Sequence, residues 1–126
     1  QASLIYTRLQ DSNTSVGCDL NTQSTRINIS NYNNNSKGIF TGTKTVSNVH
    51  KLIRNGNVLG TGAGGGSLPT IPFWIGKYNS SINPTQGFSN QRIQFTAIHE
   101  GLTDAEVIAL HTIIDNFESA IGRKTW

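Results

Sequence analysis

Acid–base, metal or nucleophilic chemistry in this 126-residue chain would have to come from seven carboxylates, three histidines and one cysteine. Glu100, Asp104, Glu106, Asp115 and Glu118 crowd into one C-terminal stretch, leaving Asp11 and Asp19 for the rest, both in or beside turns. Glycoside hydrolysis needs two carboxylates flanking one sugar, and this distribution does not offer them. His50, His99 and His111 have no second ligand at metal spacing. His111 precedes Asp115 by four residues, which suits a surface pair on a helix. Cys18 has no His partner in the sequence and reads as a small buried thiol. The expectation is a chain that is not an enzyme and holds no cofactor.

Carbohydrate recognition fits the composition better. A sugar site pairs an exposed aromatic platform with amide and hydroxyl side chains. Trp74 is flanked by Phe73 and Ile75 and points opposite to them if the strand is regular. Tyr78, Asn79 and Arg92 lie near it in sequence or in the expected pairing. Tyr32, with Asn33 in the run NYNNN, is a second candidate, because loop tips on rigid β scaffolds carry function. The competing reading of Trp74 is a core residue, since one face of each sheet is always buried. Trp126 reads as a packing or tail residue.

The elements that would position these groups are mostly strands. Strands are expected over residues 2–9, 16–20, 25–30 (Ile27 and Ile29 inward, Arg26 and Asn28 outward), 38–46 and 49–55. Asn55-Gly56 predicts a two-residue type I′ hairpin, and Asn57 begins the return strand. Residues 60–66 hold five glycines in seven and are expected as a loop; phosphate binding there lacks the Lys-Ser/Thr and the helix of a P-loop. Residues 72–79 and 91–99 predict two more strands, the last with Ile93, Phe95 and Ala97 on one face. A helix over 103–121 follows. Thr103 and Glu106 form a capping box, Val107, Leu110, Ile113, Ile114, Phe117 and Ile121 make an apolar stripe, and Gly122 stops it ahead of Arg123 and Lys124.

Bulk composition sets the remaining bounds. Charged residues are 13% and the net charge is +3, without the dense basic footprint of a nucleic-acid binder. No apolar run approaches the roughly 20 residues of a membrane span. The single Cys allows no intrachain disulfide. With no Met, and opening on Gln1 in what reads as mid-strand, the chain is expected to be a processed product or part of a longer polypeptide.

The order KLIRNGNVLG, PFWIGKYN, FSNQRIQFTAIHEGL and a Leu-Thr-Asp-Ala-Glu helix start resembles the C-terminal half of a concanavalin A-like, laminin-G-like jelly-roll domain. The resemblance covers residues 37–123, and is greatest to domains of bacteriophage tail and fibre proteins and of bacterial surface proteins. It implies one domain over residues 1–126, mainly β: an antiparallel jelly-roll β-sandwich, incomplete at its N-terminus, with one C-terminal α-helix packed on it. The missing strands would come from upstream chain or a neighbouring subunit. The Glu-x-Asp-x-x-Glu strand motif of hydrolases in this class is absent. Calcium at the sheet rim, known in relatives, needs several oxygen ligands; Asp11, Asp19 and residues 33–35 would be the donors, only two of them charged. The implied function is a virion tail or fibre domain binding cell-surface glycan, with other virion subunits and copies of itself as partners. The alternatives are a purely structural assembly or decoration domain, and a bacterial surface adhesin.

Overall fold

The computed structural model describes residues 4–6, 15–20, 25–30, 32, 37–46, 48–63, 75–76 and 92–126. It is mainly β, with two antiparallel sheets and one C-terminal helix. β1 (Leu4–Tyr6), β2 (Val16–Asp19) and β3 (Ile27–Ile29) form the first sheet, in that order. β4 (Phe40–Val46), β5 (Val49–Arg54) and β6 (Asn57–Ala63) form the second. Asn55 and Gly56 both take positive φ, 48° and 81°, so the β5–β6 turn has the handedness of a type I′ hairpin that matches strand twist.

The sheets lie face to face, β1 over β4, β2 over β5 and β3 over β6, with facing Cα atoms within 8 Å. Packed sheets usually stand about 10 Å apart. Glycine permits the closer approach. Pairing aligns Ile5, Cys18 and Ile27 across the first sheet, and Gly42, Leu52 and Gly60 across the second. Large residues thus oppose small ones. A methyl on Gly42 would come within 2.7 Å of Cys18 Sγ, and one on Gly60 within 2.7 Å of Ile27 Cγ2. Val16, Cys18, Ile27 and Leu52 make the core. Leu52 is fully enclosed, a burial that contributes about 2 kcal/mol. Gly60 and Gly62 therefore belong to a strand, where composition alone predicts a loop. The β5–β6 register shifts between Leu52 and Ile53, and the resulting bulge lets Leu59 also pack against the core.

Helix α1 (Asp104–Ala120) covers the opposite face of the second sheet. Its capping box is complete: Glu106 N donates to Thr103 Oγ1 and Thr103 N donates to Glu106 Oε2 at 2.8 Å. Thr103 Oγ1 also donates to Glu106 Oε2 at 2.7 Å, and the bonds the carboxylate accepts, from the Thr103 side chain first and its backbone second, draw it below its ordinary range. At the other end Gly122, at φ +68°, closes a Schellman turn in which Arg123 N donates to Glu118 O and Gly122 N to Ser119 O.

Two expectations are corrected. The buried helix face is Val107, His111, Ile114 and Glu118, whereas Ile113 (65%), Phe117 (54%) and Ile121 (47%) are exposed. The helix turns two polar residues inward because each has a partner there. Glu118, 1% exposed, is gripped by Arg123 through bonds of 3.0 and 2.6 Å. Residues 92–99 form no strand: no described strand pairs with them, and Ile93, Phe95 and Ile98 are exposed. They run to the far end of the helix, where Gln94 Nε2 donates to Arg123 O at 3.2 Å.

Candidate recognition groove

The helix is stitched to the second sheet by polar side chains, and those stitches shape a groove. Thr43 Oγ1 donates to Leu102 O at 2.6 Å and accepts from Leu102 N at 2.8 Å. That pins the helix approach to β4, so closely that a methyl on Gly101 would run into the Lys44 carbonyl. Lys51 Nζ reaches both oxygens of Asp104 at 2.7 and 2.6 Å. Seven residues further along, buried His111 joins the helix to the hairpin tip and β4. Its Nδ1 accepts from Gly56 N at 2.8 Å, and its Nε2 lies 2.7 Å from Thr41 Oγ1. An accepting Nδ1 places the ring proton on Nε2, which donates to the threonine hydroxyl. Burial holds the imidazole pKa below its ordinary value and the ring neutral. The sequence suggested a surface pair with Asp115; Asp115 instead meets Lys124 at 2.8 Å.

Beside His111 lies a groove of about 390 Å³, walled by the hairpin tip, the outer turns of α1 and the C-terminal tail. Trp126, Asn55, Ile108, Thr112, Asp115 and Lys124 line it. The hairpin tip is anchored on two sides. Asn55 N donates to Ile39 O at 3.0 Å, Ile39 N to Asn55 Oδ1 at 2.8 Å, and Gly56 N to His111. An aromatic residue, an amide, a hydroxyl and an ion pair roughly one-third exposed on each side thus share one concavity. This is the donor set of a site for a polar ligand with apolar ring faces. From the sequence Trp126 reads as a packing or tail residue. Its only available signal was its place after the helix stop, where Gly122 turns the chain back along α1.

Of the residues singled out from the sequence, Tyr32 is half-buried against the core. Its hydroxyl accepts from Arg54 Nη1 at 2.9 Å, and the Arg54 guanidinium sits 5.4 Å from its ring and 5.5 Å from that of Phe40. Arg92 is exposed, and no hydrogen bond or ring contact among the described residues joins it to Tyr32. Trp74, Tyr78, Asn79 and Asn33 lie outside the described residues, as does Asp11.

A second titratable cluster lies between the sheets. His50 is fully enclosed, and neither ring nitrogen meets hydrogen-bond geometry; Thr25 Oγ1 is likewise unsatisfied. Burial lowers the His50 pKa. The nearby Cys18 backbone and Asp19 carboxylate pull the other way, and Lys44 adds a smaller downward push. Cys18 is buried, and its thiol is pushed up to about 12 by burial first and Asp19 second; a thiol held that high supplies no nucleophile at neutral pH. Asp19 itself is held by Arg26 at 2.6 Å. Among the described residues no cluster of three or more His, Cys, Asp or Glu is arranged to hold a metal ion. No family model, no curated protein and no solved structure matches this chain.

Proposed function

We propose that the chain is a non-enzymatic recognition domain that takes a glycan in the groove beside His111. The observation that carries this reading is the placement of Trp126 in one concavity with Asn55, Thr112 and Asp115. A pyranose ring stacks on an indole while its hydroxyls exchange hydrogen bonds with amide, hydroxyl and carboxylate groups. The state of the acids supports a non-catalytic role. Of the seven, Asp19, Asp104, Glu106, Asp115 and Glu118 are each engaged by a basic side chain or the helix cap. A carboxylate so engaged is a poor general acid at neutral pH.

The resemblance of residues 37–123 to concanavalin A-like jelly rolls supports the finer architecture and a place in a phage tail or fibre, where many weak copies act through avidity. A tetravalent display of the chain on a panel of oligosaccharides tests the reading. At least one glycan should be retained, and Trp126→Ala should weaken its monovalent affinity about tenfold. No retention on the panel, or retention indifferent to Trp126→Ala, overturns it. An architectural role in particle assembly is the second reading, and the exposed apolar side of α1 favours it.

A further inference from the structure

The hairpin tip and helix α1 are two walls of the groove, and a main-chain bond ties one to the other: Gly56 N donates to His111 Nδ1 at 2.8 Å. Beside that bond Gly56 abuts Ile108, whose Cγ1 lies 3.6 Å from where a Gly56 Cβ would stand. The bonds of Asn55 run elsewhere, from Asn55 N to Ile39 O and from Ile39 N to Asn55 Oδ1, at the start of β4.

The tie depends on which ring nitrogen is bare. Nδ1 accepts from Gly56, and Nε2–H donates to Thr41 Oγ1 at 2.7 Å. A proton added to the ring goes to Nδ1, the nitrogen without one. It then points at the Gly56 N–H, donor against donor, where the residue is only 4% exposed and water has little access. The bond to Thr41 survives, since a hydroxyl accepts from either form of the ring. Protonation therefore cuts the helix from the hairpin tip and leaves it bound to β4.

We infer that His111 is a proton-operated latch on the groove: acid frees the hairpin tip from α1, parts the Asn55 wall from the wall of Thr112 and Asp115, and releases bound glycan. What is released rests on the glycan reading; the movement of the tip does not. The charges around the ring leave it free to act this way. On α1, Asp115 is held by Lys124 of the tail at 2.8 Å, Asp104 by Lys51 of β5 at 2.6 Å and Glu118 by Arg123 at 2.6 Å. From β4 the ring meets the neutral Thr41. Arg54 of β5 turns to the other face of the sheet, against Tyr32 and Phe40. Each of these carboxylates has its own cation, so none of them is spare to stabilise an imidazolium. Burial accordingly holds the ring below its ordinary titration range, and the latch is closed at neutral pH.

Proton and glycan then compete. Below the ring's titration point the latched fraction falls about tenfold per pH unit, and the apparent affinity falls with it. By reciprocity, glycan in the groove moves the ring titration to lower pH.

Ring and main-chain 15N spectra of the full chain between about pH 7.5 and 5 test the latch without any sugar. The Gly56 amide resonance should move with the His111 ring at one midpoint. Its protection against exchange, corrected for pH, should fall about tenfold, the loss of one hydrogen bond. The oligosaccharide panel, read over the same range, should lose retention at that midpoint, about tenfold per pH unit below it. His111→Gln substitutes a side chain that does not titrate and should remove the pH response, whatever its affinity at neutral pH. His50→Leu should keep the response, because His50 lies between the sheets. A His111 ring that stays neutral down to about pH 5, or a Gly56 amide that ignores the ring's titration, overturns the inference whatever the groove binds. Retention that ignores pH while the Gly56 amide follows the ring overturns it too, because the latch then opens without releasing the sugar. No retention at neutral pH, with Gly56 still following the ring, overturns the glycan reading alone and leaves the movement of the tip established.

Discussion

Toward the first sheet, the second sheet presents Gly42, Leu52, Gly60 and Gly62, and the glycines are met by side-chain atoms of Cys18, Ile5 and Ile27, the edge of the His50 ring and the Thr25 carbonyl. Toward the helix it presents Thr41, Thr43 and Lys51, and each makes a polar contact with the helix or its approach. The first face is held by shape, the second by directed bonds. Shape is intolerant of added volume. Bonded polar groups are intolerant of a lost partner, because the group left behind stays buried and unsatisfied. The groove sits on the bonded side, where orientation is fixed residue by residue.

The sharpest way to break the bonded face is His111→Ala. It removes both bonds, leaves the Thr41 hydroxyl and the Gly56 N–H without their partner and opens a cavity. Stability should fall by about 3 kcal/mol in urea titration. Amide exchange at Asn55 and Gly56 should accelerate beyond the global change, because the hairpin tip loses its anchor. A loss under about 0.5 kcal/mol, within the range of an ordinary surface change, would mean that the helix is held by its apolar contacts and that the contrast between the faces is misplaced.

Gly62→Ala probes the shaped face with a smaller expected effect. Its methyl would come within 2.5 Å of His50 Cε1 and 2.8 Å of the Thr25 carbonyl. The carbonyl belongs to the backbone and cannot swing aside, so the cost should be about 2 kcal/mol. An unchanged urea midpoint would show that the sheets separate freely at this end.

The contrast between faces also explains which parts of the molecule are legible in the sequence. The β5–β6 turn, the capping box and the helix stop are local: Asn55-Gly56, Thr103 with Glu106, and Gly122 each act through neighbours a few residues away, and all three appear where expected. The alternation of Ile27, Asn28 and Ile29 is legible for the same reason. Partnerships across the fold are not. Glycine content at residues 60–63 does not reveal that Ile27 and His50 lie opposite, so a strand passes for a loop. An apolar count along α1 favours Phe117 over Glu118, because Arg123 returns to neutralise the carboxylate only after the chain has turned at Gly122. Of the groove, the Asn55 turn was readable. His111 was not, since its two partners sit 70 and 55 residues away, and Trp126 joins only through the tail.

The finest test of the contrast is His50, a polar side chain enclosed on the shaped face. His50→Leu is close in volume and deletes two nitrogens without partners. Stability at neutral pH should rise by about 1 kcal/mol, the smallest effect here. The pH profile adds an independent readout. Both His50 and His111 have pKa values lowered in the fold, with burial as the leading cause. The unfolded chain therefore binds more protons, and the stability their neutral forms contribute is present above the ordinary imidazole value of 6.5. It is lost as pH falls through and below that value. Glu106, also lowered, adds a separate loss only below the ordinary carboxyl range of about 4.5. Urea titrations between pH 7.5 and about 3 should show the upper loss in the wild type, a shallower one in His50→Leu because His111 still titrates, and an unchanged lower loss. Should His50→Leu instead destabilise the chain at neutral pH, the ring must be bonded to the Cys18 backbone in solution. The shaped face would then carry a directed bond of its own, and the two faces would differ in degree only.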